Sequence, residues 1–442
     1  FPVPSDPFSP PSNPPAPPFK NGLLPMVLVN NSGYPDSQVY VVLTANGIKG
    51  KNSQSWGQID ISYGSNYGVA TLVKATVGEN ATSYSYPLSA LPRGSSGRVI
   101  YLPQLQTGLV WFSIGSPLNM PVVAGGIQHP SYTNPTDPNY ATVFDSFELT
   151  YLASGSPQIS TDASAVSAFS MPLYGYLAGA TSVSSNTGLY QPRSYIMNQL
   201  ATTLATAKEY PQWDQLILKQ NGKVLRCLSP GQSISASAFD RNYLDDSASY
   251  GYSYLSDLYA YYDGTPTLNM TVLTTVPSAT YNYVGTASGN VFTFTSSDPG
   301  ADTPISFRAL NSGSTPTSTT TYNIFEGLNL FDPVNQPVAG TAKDAVSKLF
   351  QEAIMAGILP TTNTVSLASL VSNQAGYYKV NPLLSGTGTT TGPWYNLYSK
   401  ALHALGYIYT FAYDDALWPQ VLLGGPFVNN STYLGITIGN SQ

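Results

Sequence analysis

The sequence predicts a mainly β protein with a mixed α/β part, and two observations carry this prediction. From Leu24 to about Leu177, short runs rich in β-branched residues are separated by clusters of Gly, Pro and Ser. That pattern is typical of a β-sandwich or a β-barrel. Later in the chain, three segments repeat apolar residues at helical spacing, and pairs of apolar runs joined by tight turns lie between them.

Four runs in the first half are predicted strands: Leu24–Val29, Val39–Leu43, Val99–Pro103 and Leu109–Ile114. The first two are separated by the turn-prone segment Asn30–Gly33, and the last two by Gln106-Thr107-Gly108. Because Asn, Ser and Gly favour turns, we expect each run to end at these segments.

Three helices are predicted over Ser194–Lys208, Thr341–Ala356 and Pro393–Leu405, because apolar residues recur on one face of each segment. The second helix begins with a capping pattern of Thr341 and Asp344, in which a hydroxyl accepts from a free backbone amide.

Two hairpins and a further strand are predicted around these helices. Asn221-Gly222 lies between two apolar runs and is the strongest short-range hairpin signal in the chain. Ser288-Gly289-Asn290 marks a second hairpin, and Tyr407–Ala412 is a predicted strand.

These elements divide the chain into three predicted regions. Residues 1–22 form a Pro-rich arm, residues 23–190 a β domain, and residues 191–405 a mixed α/β domain. As an alternative, the C-terminal strands from about 406–442 join the β domain. Nine prolines within residues 1–20 predict an extended arm, because proline fixes φ and lacks a donor. The arm is either a spacer after an export signal or a segment that docks on the chain's own body or on a neighbour, which would be a route to self-association.

The composition excludes several classes of protein. Of the 442 residues, 9% are charged and the net charge is −6. Proteins that bind nucleic acids instead carry a surface patch of clustered Lys and Arg. No apolar run approaches the ~20 residues of a membrane helix, so we expect neither a nucleic-acid nor a membrane partner. Cys227 is the only cysteine, so no intrachain disulfide forms. The low charge, and a chain that begins at Phe1 without Met, lead us to expect a secreted, extracellular protein.

Carboxylates remain as the candidates for chemistry, because nucleotide-binding and zinc motifs are absent and two histidines with one cysteine offer few metal ligands. We expect no metal and no cofactor. If Thr142–Thr150 is a strand, Phe147 and Leu149 face the core, and the opposite face carries a carboxylate between hydroxyls, as Ser146, Glu148 and Thr150. Such a face suits contact with a sugar, and it equally suits plain solvation.

A second acidic pair, Asp414-Asp415, follows an aromatic run. Adjacent Asp residues at the end of a strand either cap a turn or bind a ligand. Both interpretations stay open on the residues alone.

The order of several segments along the chain resembles a known family. These segments are Leu24–Tyr40, Arg98–Leu118, Asn134–Tyr140, Phe144–Thr150, Val166–Leu173, Leu225–Pro230, Asn396–Ser399 and Tyr409–Asp415. They resemble glycoside hydrolase family 64, the laminaripentaose-producing β-1,3-glucanases of the thaumatin-like superfamily. The resemblance implies a thaumatin-like β-barrel or sandwich domain and an α/β domain, which form a crescent with a wide groove.

The resemblance also implies the site residues. The family hydrolyses β-1,3-glucan with inversion, which needs an acid and a base about 6.5–9.5 Å apart. Glu148 falls at the position of the acid, and Thr150, Ser164, Asp414 and Asp415 are implied substrate-binding residues.

The family's base is missing from its expected place. In the family it is an Asp in the pattern Val-Asp-x-Phe-Gly-x-Pro, and Ser167 stands at that position here. A neutral hydroxyl cannot take the proton of the attacking water unaided. Asp162, five residues upstream, is a candidate substitute base.

Three hypotheses of function follow. The first is a secreted protein that recognises β-1,3-glucan and whose hydrolysis is weakened or lost. The second is an active inverting endo-β-1,3-glucanase with Glu148 as the acid. The third is an extracellular structural or self-assembling protein that has kept only the scaffold.

Overall fold

The protein is described here from a computed structural model. The residues it describes are 7–18, 20, 22–46, 56–61, 68–124, 126–152, 158–207, 211–244, 253–307, 321–327, 338–359, 364–366, 368–369, 374–378, 394–428 and 432–442. In this part of the chain no helix is long and apolar enough to cross a membrane.

One large sheet joins strands from both ends of the chain. Its five strands are β1 (Leu24–Asn30), β6 (Arg98–Leu102), β13 (Leu173–Leu177), β14 (Asn186–Gly188) and β23 (Leu434–Ile438). Their order is β14-β13-β23-β1-β6. The C-terminal strand β23 pairs in parallel with β1 and antiparallel with β13, so the end of the chain lies inside the sheet that its beginning starts.

A second large sheet carries the candidate acid. Its eight strands are β2 (Val39–Asn46), β3 (Trp56–Ile61), β4 (Ala70–Lys74), β5 (Tyr86–Pro87), β7 (Leu105–Ile114), β10 (Val143–Leu152), β11 (Gln158–Ala163) and β22 (Leu423–Pro426). The order is β22-β11-β10-β7-β2-β3-β4, and β5 pairs with β2.

The two large sheets pack against each other over one core. Phe147 and Leu149 of β10 lie in the same buried cluster as Leu28 of β1 and Ile436 of β23. Gly175 of β13 lies directly against the ring of Phe147, where a Cβ atom would overlap the ring. No sheet among the described residues closes on itself, so of the two predicted forms the structure has the sandwich. The mainly β prediction is confirmed.

The remaining elements form the mixed part. The smaller strands are β8 (Val122–Val123), β9 (Gly126–Ile127), β12 (Ala168–Phe169), β15 (Ile217–Gln220), β16 (Lys223–Leu228), β17 (Leu268–Thr275), β18 (Ser278–Ser288), β19 (Val291–Thr295), β20 (Ile305–Ser306) and β21 (Thr364–Ser366). They form a two-stranded sheet (β8-β9), a three-stranded sheet (β12-β16-β15) and a five-stranded sheet (β20-β19-β18-β17-β21). The helices are α1 (Arg193–Leu204), α2 (Pro230–Ser235), α3 (Tyr254–Tyr261), α4 (Thr321–Glu326), α5 (Ala342–Met355), α6 (Leu397–His403) and α7 (Asp414–Leu417).

The predicted turn at Asn221-Gly222 and the predicted cap at Thr341 are confirmed. Asn221 and Gly222 both have positive φ, at 51° and 77°, as a type I′ turn between β15 and β16 requires. The hydroxyl of Thr341 accepts from the amide of Asp344 and caps α5. The three predicted helices correspond to α1, α5 and α6, although α6 begins only at Leu397, after the N-cap Asn396.

One predicted turn and one predicted strand are wrong. Gln106-Thr107-Gly108 does not end a strand but lies within β7, where Thr107 takes a φ of 47° and the pairing with both neighbours shifts register. A β-bulge therefore absorbs the residues that we predicted as a turn. Tyr407–Ala412 is not a strand either. Only Tyr407 and Tyr409 form bridges, with Gly188 and Ser164, because the chain then turns into α7.

The part of the Pro-rich arm that the structure describes packs on the chain's own body. The hydroxyl of Tyr101 donates to the carbonyl of Pro18 at 2.6 Å, and the hydroxyl of Tyr433 donates to that of Pro14. Phe8 lies edge-on to Tyr195, with ring centroids 5.1 Å apart. These contacts match the prediction of docking on its own body, whereas self-association stays a prediction.

Candidate active site

The polar face of β10 has the alternation that the sequence predicts. Phe147 and Leu149 are buried, Glu148 is exposed and Thr150 is half-buried. Ser146 is the exception, because it is buried and forms a hydrogen bond with Tyr132. We call the outer face of β10 and β11 that carries Glu148, Thr150, Asp162 and Ser164 the Glu148 face.

Asp162 lies directly opposite Glu148. The two residues are register partners in the antiparallel pair of β10 and β11, so their side chains share one face of the sheet. Ser164 lies two residues further along and forms a hydrogen bond to Glu148. The structure therefore brings together two residues implied by the resemblance, Glu148 and Ser164, and the candidate substitute base Asp162.

The surroundings of Glu148 favour its protonated form. The crowded sheet surface reduces the hydration of its carboxyl and raises its pKa, and the hydrogen bond from Ser164 offsets part of this increase. A raised pKa is what a general acid needs in order to hold its proton at the pH of the reaction.

The pKa of Asp162 is raised more strongly than that of Glu148. Only 6% of its surface is exposed, and its Oδ1 has no hydrogen-bond partner among the described residues. Burial raises its pKa well above the ordinary value, and the negative charges of Glu148, Asp415 and Asp414 raise it further. Because adjacent coupled carboxyls titrate as a pair, the buried Asp162 holds a proton more readily than the exposed Glu148.

This position does not suit the substitute base predicted at Asp162. Directly opposed residues have Cβ atoms about 4.5–5.5 Å apart, whereas an inverting acid and base are about 6.5–9.5 Å apart with room for a water. A buried carboxyl that retains its proton is also a poor acceptor for a second one. The geometry therefore places Asp162 beside the acid, on the same side of a bound sugar.

Ser167 lies in a bend just before β12 and is half-buried. Its carbonyl accepts from the amide of Ser229 at 2.9 Å. The segment that follows is held by Asp145, whose Oδ2 accepts from the amides of Ser170 and Met171 at 2.7 and 2.8 Å. Arg193 holds it from the other side by donating to the carbonyl of Ser170. The position at which the resemblance led us to expect the base is thus well anchored, but it carries no carboxylate.

Asp145 itself was not singled out by the sequence, although it adjoins Ser146 on β10. Burial raises its pKa to about 7, and the amides it binds and the charge of Arg226 limit the rise. The only available signal was an Asp at a core-facing position of a strand, where an unpaired charge is costly.

The predicted contact of Asp414 with substrate is not compatible with its position. Asp414 has no exposed surface, and its Oδ2 lies 3.0 Å from Nε2 of His403 and accepts from the amide and hydroxyl of Thr410. A carboxylate enclosed in this way cannot touch a polysaccharide. Asp414 instead anchors the start of α7.

Asp415, the next residue, is half-buried and therefore accessible. Its Oδ1 accepts from the hydroxyl of Tyr409 at 2.8 Å, and that hydroxyl also accepts from the amide of Tyr413. Tyr409 forms a parallel bridge with Ser164, so its side chain lies on the Glu148 face. Burial and the negative charge of Asp415 raise the pKa of Tyr409, which keeps the hydroxyl a neutral donor.

A small cluster of buried aromatic side chains covers the neighbouring part of the sheet face on which Glu148 lies. Trp111 donates from Nε1 to the hydroxyl of Thr44 at 3.3 Å and lies against His129, with ring centroids 5.1 Å apart. Burial lowers the pKa of His129, so the ring is neutral near neutral pH. Among the described residues, no group of three or more His, Cys, Asp or Glu is arranged to hold a metal ion.

Comparisons with known proteins agree on one family. The family model of the β-1,3-glucanases of glycoside hydrolase family 64 matches residues 22–420. No curated protein sequence matches the chain. Solved structures do match, and at identities of 21% or less they show the fold alone.

Three of these solved structures illustrate the likeness. A laminaripentaose-producing β-1,3-glucanase in complex with laminaritetraose has a TM-score of 0.69 at 21% identity, covering 96% of this chain and 100% of that chain. A β-1,3-glucanase domain from Clostridium beijerinckii has a TM-score of 0.66 at 20% identity, over the same shares of both chains. The laminaripentaose-producing enzyme from Paenibacillus barengoltzii has a TM-score of 0.54 at 16% identity, covering 96% of this chain and 76% of that one.

Proposed function

Because this chain belongs to the β-1,3-glucanases of glycoside hydrolase family 64, we propose that it binds β-1,3-glucan across the Glu148 face and hydrolyses it slowly. Two of the similar structures contain laminaritetraose and laminarihexaose, which supports a β-1,3-glucan as the ligand here. We also propose that the protein acts outside the cell, in line with its 9% of charged residues and its insoluble class of substrate.

The observation that carries the proposal is Glu148 itself. The residue is exposed on the outer face of β10, its carboxyl has a raised pKa because its surroundings reduce its hydration, and Ser164 forms a hydrogen bond to it. In this role, Glu148 donates its proton to the glycosidic oxygen as the bond to the anomeric carbon breaks. Thr150, whose hydroxyl accepts from the amide of Thr107 at 3.3 Å, lies next along the same face and can bind a glucose hydroxyl.

The slow rate follows from Ser167. Its hydroxyl cannot take a proton from water near neutral pH, and a positioned general base contributes about 10²–10⁴-fold to a rate. Binding needs no base, so recognition of the glucan should be unimpaired.

The experiment combines binding and hydrolysis. We expect the protein to be retained on insoluble β-1,3-glucan and to release soluble oligosaccharides slowly from laminarin. In Glu148→Gln, release should fall by at least about 10²-fold, because the amide is not acidic enough to transfer a proton to the leaving oxygen, while retention on glucan is unchanged. Release that is equal in the variant and the unaltered protein would contradict the role of Glu148.

A second candidate function is recognition without hydrolysis, and the observation that favours it is again the missing carboxylate at Ser167. Retention on glucan with no soluble product from the unaltered protein would establish this candidate. Failure of both retention and release would contradict glucan as the ligand.

A further inference from the structure

We propose that Asp145 is a positioning residue for hydrolysis, which fixes the segment that carries residue 167 against β10, the strand that carries Glu148. This inference rests on the proposed function, because it matters only where the chain cleaves glucan. The sequence did not single out Asp145, and the chemistry proposed above does not use it. Asp145 does not itself contact the sugar, since only 3% of its surface is exposed.

The first argument is a direct connection between β10 and this segment. Asp145 lies on the inner face of β10, opposite to the face that carries Glu148. Its Oδ2 accepts from the amides of Ser170 and Met171 at 2.7 and 2.8 Å. One oxygen atom therefore holds two successive amides of the segment. The segment cannot slide along β10 without breaking both bonds, and a buried amide left without a partner is costly.

The second argument is an indirect connection through Arg226. This residue is fully buried, and its Nη2 donates to the carbonyls of Tyr140 and Thr142, just before β10 begins. Its guanidinium also lies over the ring of Phe144, at 4.7 Å from the ring centroid. Arg226 belongs to β16, which pairs with β12, the short strand directly after residue 167. The start of β10 and the segment of residue 167 are therefore both fastened to β16.

The third argument is that the same segment is fixed from its other side. Arg193, the first residue of α1, donates from Nε to the carbonyl of Ser170 at 2.6 Å. Its Nη2 donates to the carbonyls of Val224 and Leu225, on β16. The carbonyl of residue 167 itself accepts from the amide of Ser229 at 2.9 Å. The backbone at and after residue 167 is therefore held, so its side chain keeps one place relative to β10.

The charges around Asp145 show which substitution probes this role. Burial raises the pKa of Asp145, to about 7, while the two amides and then the positive charges of Arg226 and Arg193 favour the ionised form. The substitution Asp145→Asn keeps the shape of the side chain and one acceptor oxygen, but it removes the charge that the two guanidinium groups face. It therefore loosens the connection without leaving a cavity.

The consequence for the reaction concerns placement. A displacement of about 1 Å at a reacting group can lower a rate by about 10²-fold, even when the altered residue is far from the chemistry. In the unaltered chain, residue 167 is a serine that takes no proton, so its exact placement adds little to the slow rate. In Ser167→Asp, the carboxylate acts as a general base only if the segment holds it at the right distance from Glu148. The effect of Asp145 should therefore depend on the residue at position 167.

The test is a double-mutant cycle in the full chain. It compares kcat and KM for laminarin in the unaltered protein, Asp145→Asn, Ser167→Asp and the variant with both substitutions. We expect Asp145→Asn to lower kcat in the Ser167→Asp background by about 10²-fold. In the unaltered background the loss should be at least about tenfold smaller. KM should change by less than about threefold in either background, because placement of a base acts on the transition state and not on substrate binding.

A control separates placement from stability. Thr341→Ala removes the cap of α5 and lowers stability without touching the segment of residue 167. It should affect the two backgrounds equally. Thermal unfolding and retention on insoluble glucan report whether each variant is folded.

The outcomes separate this inference from the function on which it rests. Equal effects of Asp145→Asn in the two backgrounds would show that Asp145 only supports the fold, and would overturn the inference. If Asp145→Asn does not fold, an ester in place of the Ser170 amide removes one hydrogen bond to Asp145 and leaves the carboxyl intact, and equal effects there overturn it as well. A Ser167→Asp variant without any gain in rate also overturns it. The proposed function is judged separately, in the unaltered protein and in Glu148→Gln, which both keep Asp145.

Discussion

At the scale of single residues, the fold reduces the hydration of several carboxyls. Burial raises the pKa of Asp145, to about 7, and also raises the pKa values of Glu148, Asp162, Glu326 and Glu352. Glu352 is fully buried, and neither of its oxygens has a partner among the described residues. The opposite case is Asp36, whose pKa is lowered by hydrogen bonds from Asn30 and Arg98.

These shifts predict that the protein is more stable in mild acid than in mild base. A carboxyl with a raised pKa in the folded state binds more protons there than in the unfolded state, so stability falls as pH rises through the interval between the two values. For Asp145 this interval runs from 3.8 to about 7. Thermal unfolding should therefore give a higher Tm at about pH 5 than at about pH 8, and the net charge of −6 acts in the same direction.

A matched variant checks the cause. Glu352→Gln replaces a buried ionisable side chain with a neutral one of similar shape. Tm should therefore depend less on pH in this variant. A Tm that instead rises between about pH 5 and pH 8 would show that the folded carboxyls are better solvated than the structure indicates.

The sequence could predict a site residue only where the orientation of its side chain follows from the alternation of its own strand. The alternation of β10 predicts that Glu148 faces outward. Asp414 and Asp415 could not be told apart, because a backbone turn after Tyr413, at a φ of 74°, sends one carboxyl inward and leaves the other at the surface. The pairing of Asp162 with Glu148 depends on the register between β10 and β11. This register cannot be read from the residue pattern of either strand alone.

At the scale of elements, close contact between the two large sheets positions β10, the strand that carries Glu148. Gly175 on β13 abuts the ring of Phe147 on β10, and Phe147 precedes Glu148. Phe147 packs the inner face of β10 against the core. Because Glu148 is the next residue, this packing also fixes the position of Glu148 on the outer face of β10. Turns such as Asn221-Gly222 were predictable because they are local, whereas this contact joins elements distant in sequence.

Gly175→Ala should consequently destabilise the fold. The added Cβ would overlap the Phe147 ring, and overpacking of a core typically costs about 1–3 kcal/mol. Denaturant unfolding measures this loss. The control is Gly424→Ala on β22, where the nearest atom to the new Cβ would be the Ile159 carbonyl oxygen at 3.4 Å, so a change within about 0.5 kcal/mol is expected. Equal effects of the two substitutions would contradict tight packing at Gly175.

At the scale of the whole molecule, the chain joins its two ends in one sheet and fastens its Pro-rich arm over them. β23 pairs with β1, and Tyr433, just before β23, holds the carbonyl of Pro14. The division of the chain at residues 22, 190 and 405 stays a prediction. The pairing of C-terminal strands with both large sheets was open in the sequence, because strand partners distant along the chain leave no local signal. Self-assembly through the arm would require these contacts to be broken first.

The central claim is that a family 64 scaffold here keeps its acid but lacks the base at Ser167, and one measurement tests it most directly. Laminarin hydrolysis is compared for the unaltered protein, Ser167→Asp and the matched control Ser167→Asn. We predict that Ser167→Asp raises the rate by at least about tenfold, toward the 10²–10⁴ that a placed general base contributes, and that Ser167→Asn does not. An unchanged rate in Ser167→Asp, in a folded protein that still binds glucan, would contradict the claim.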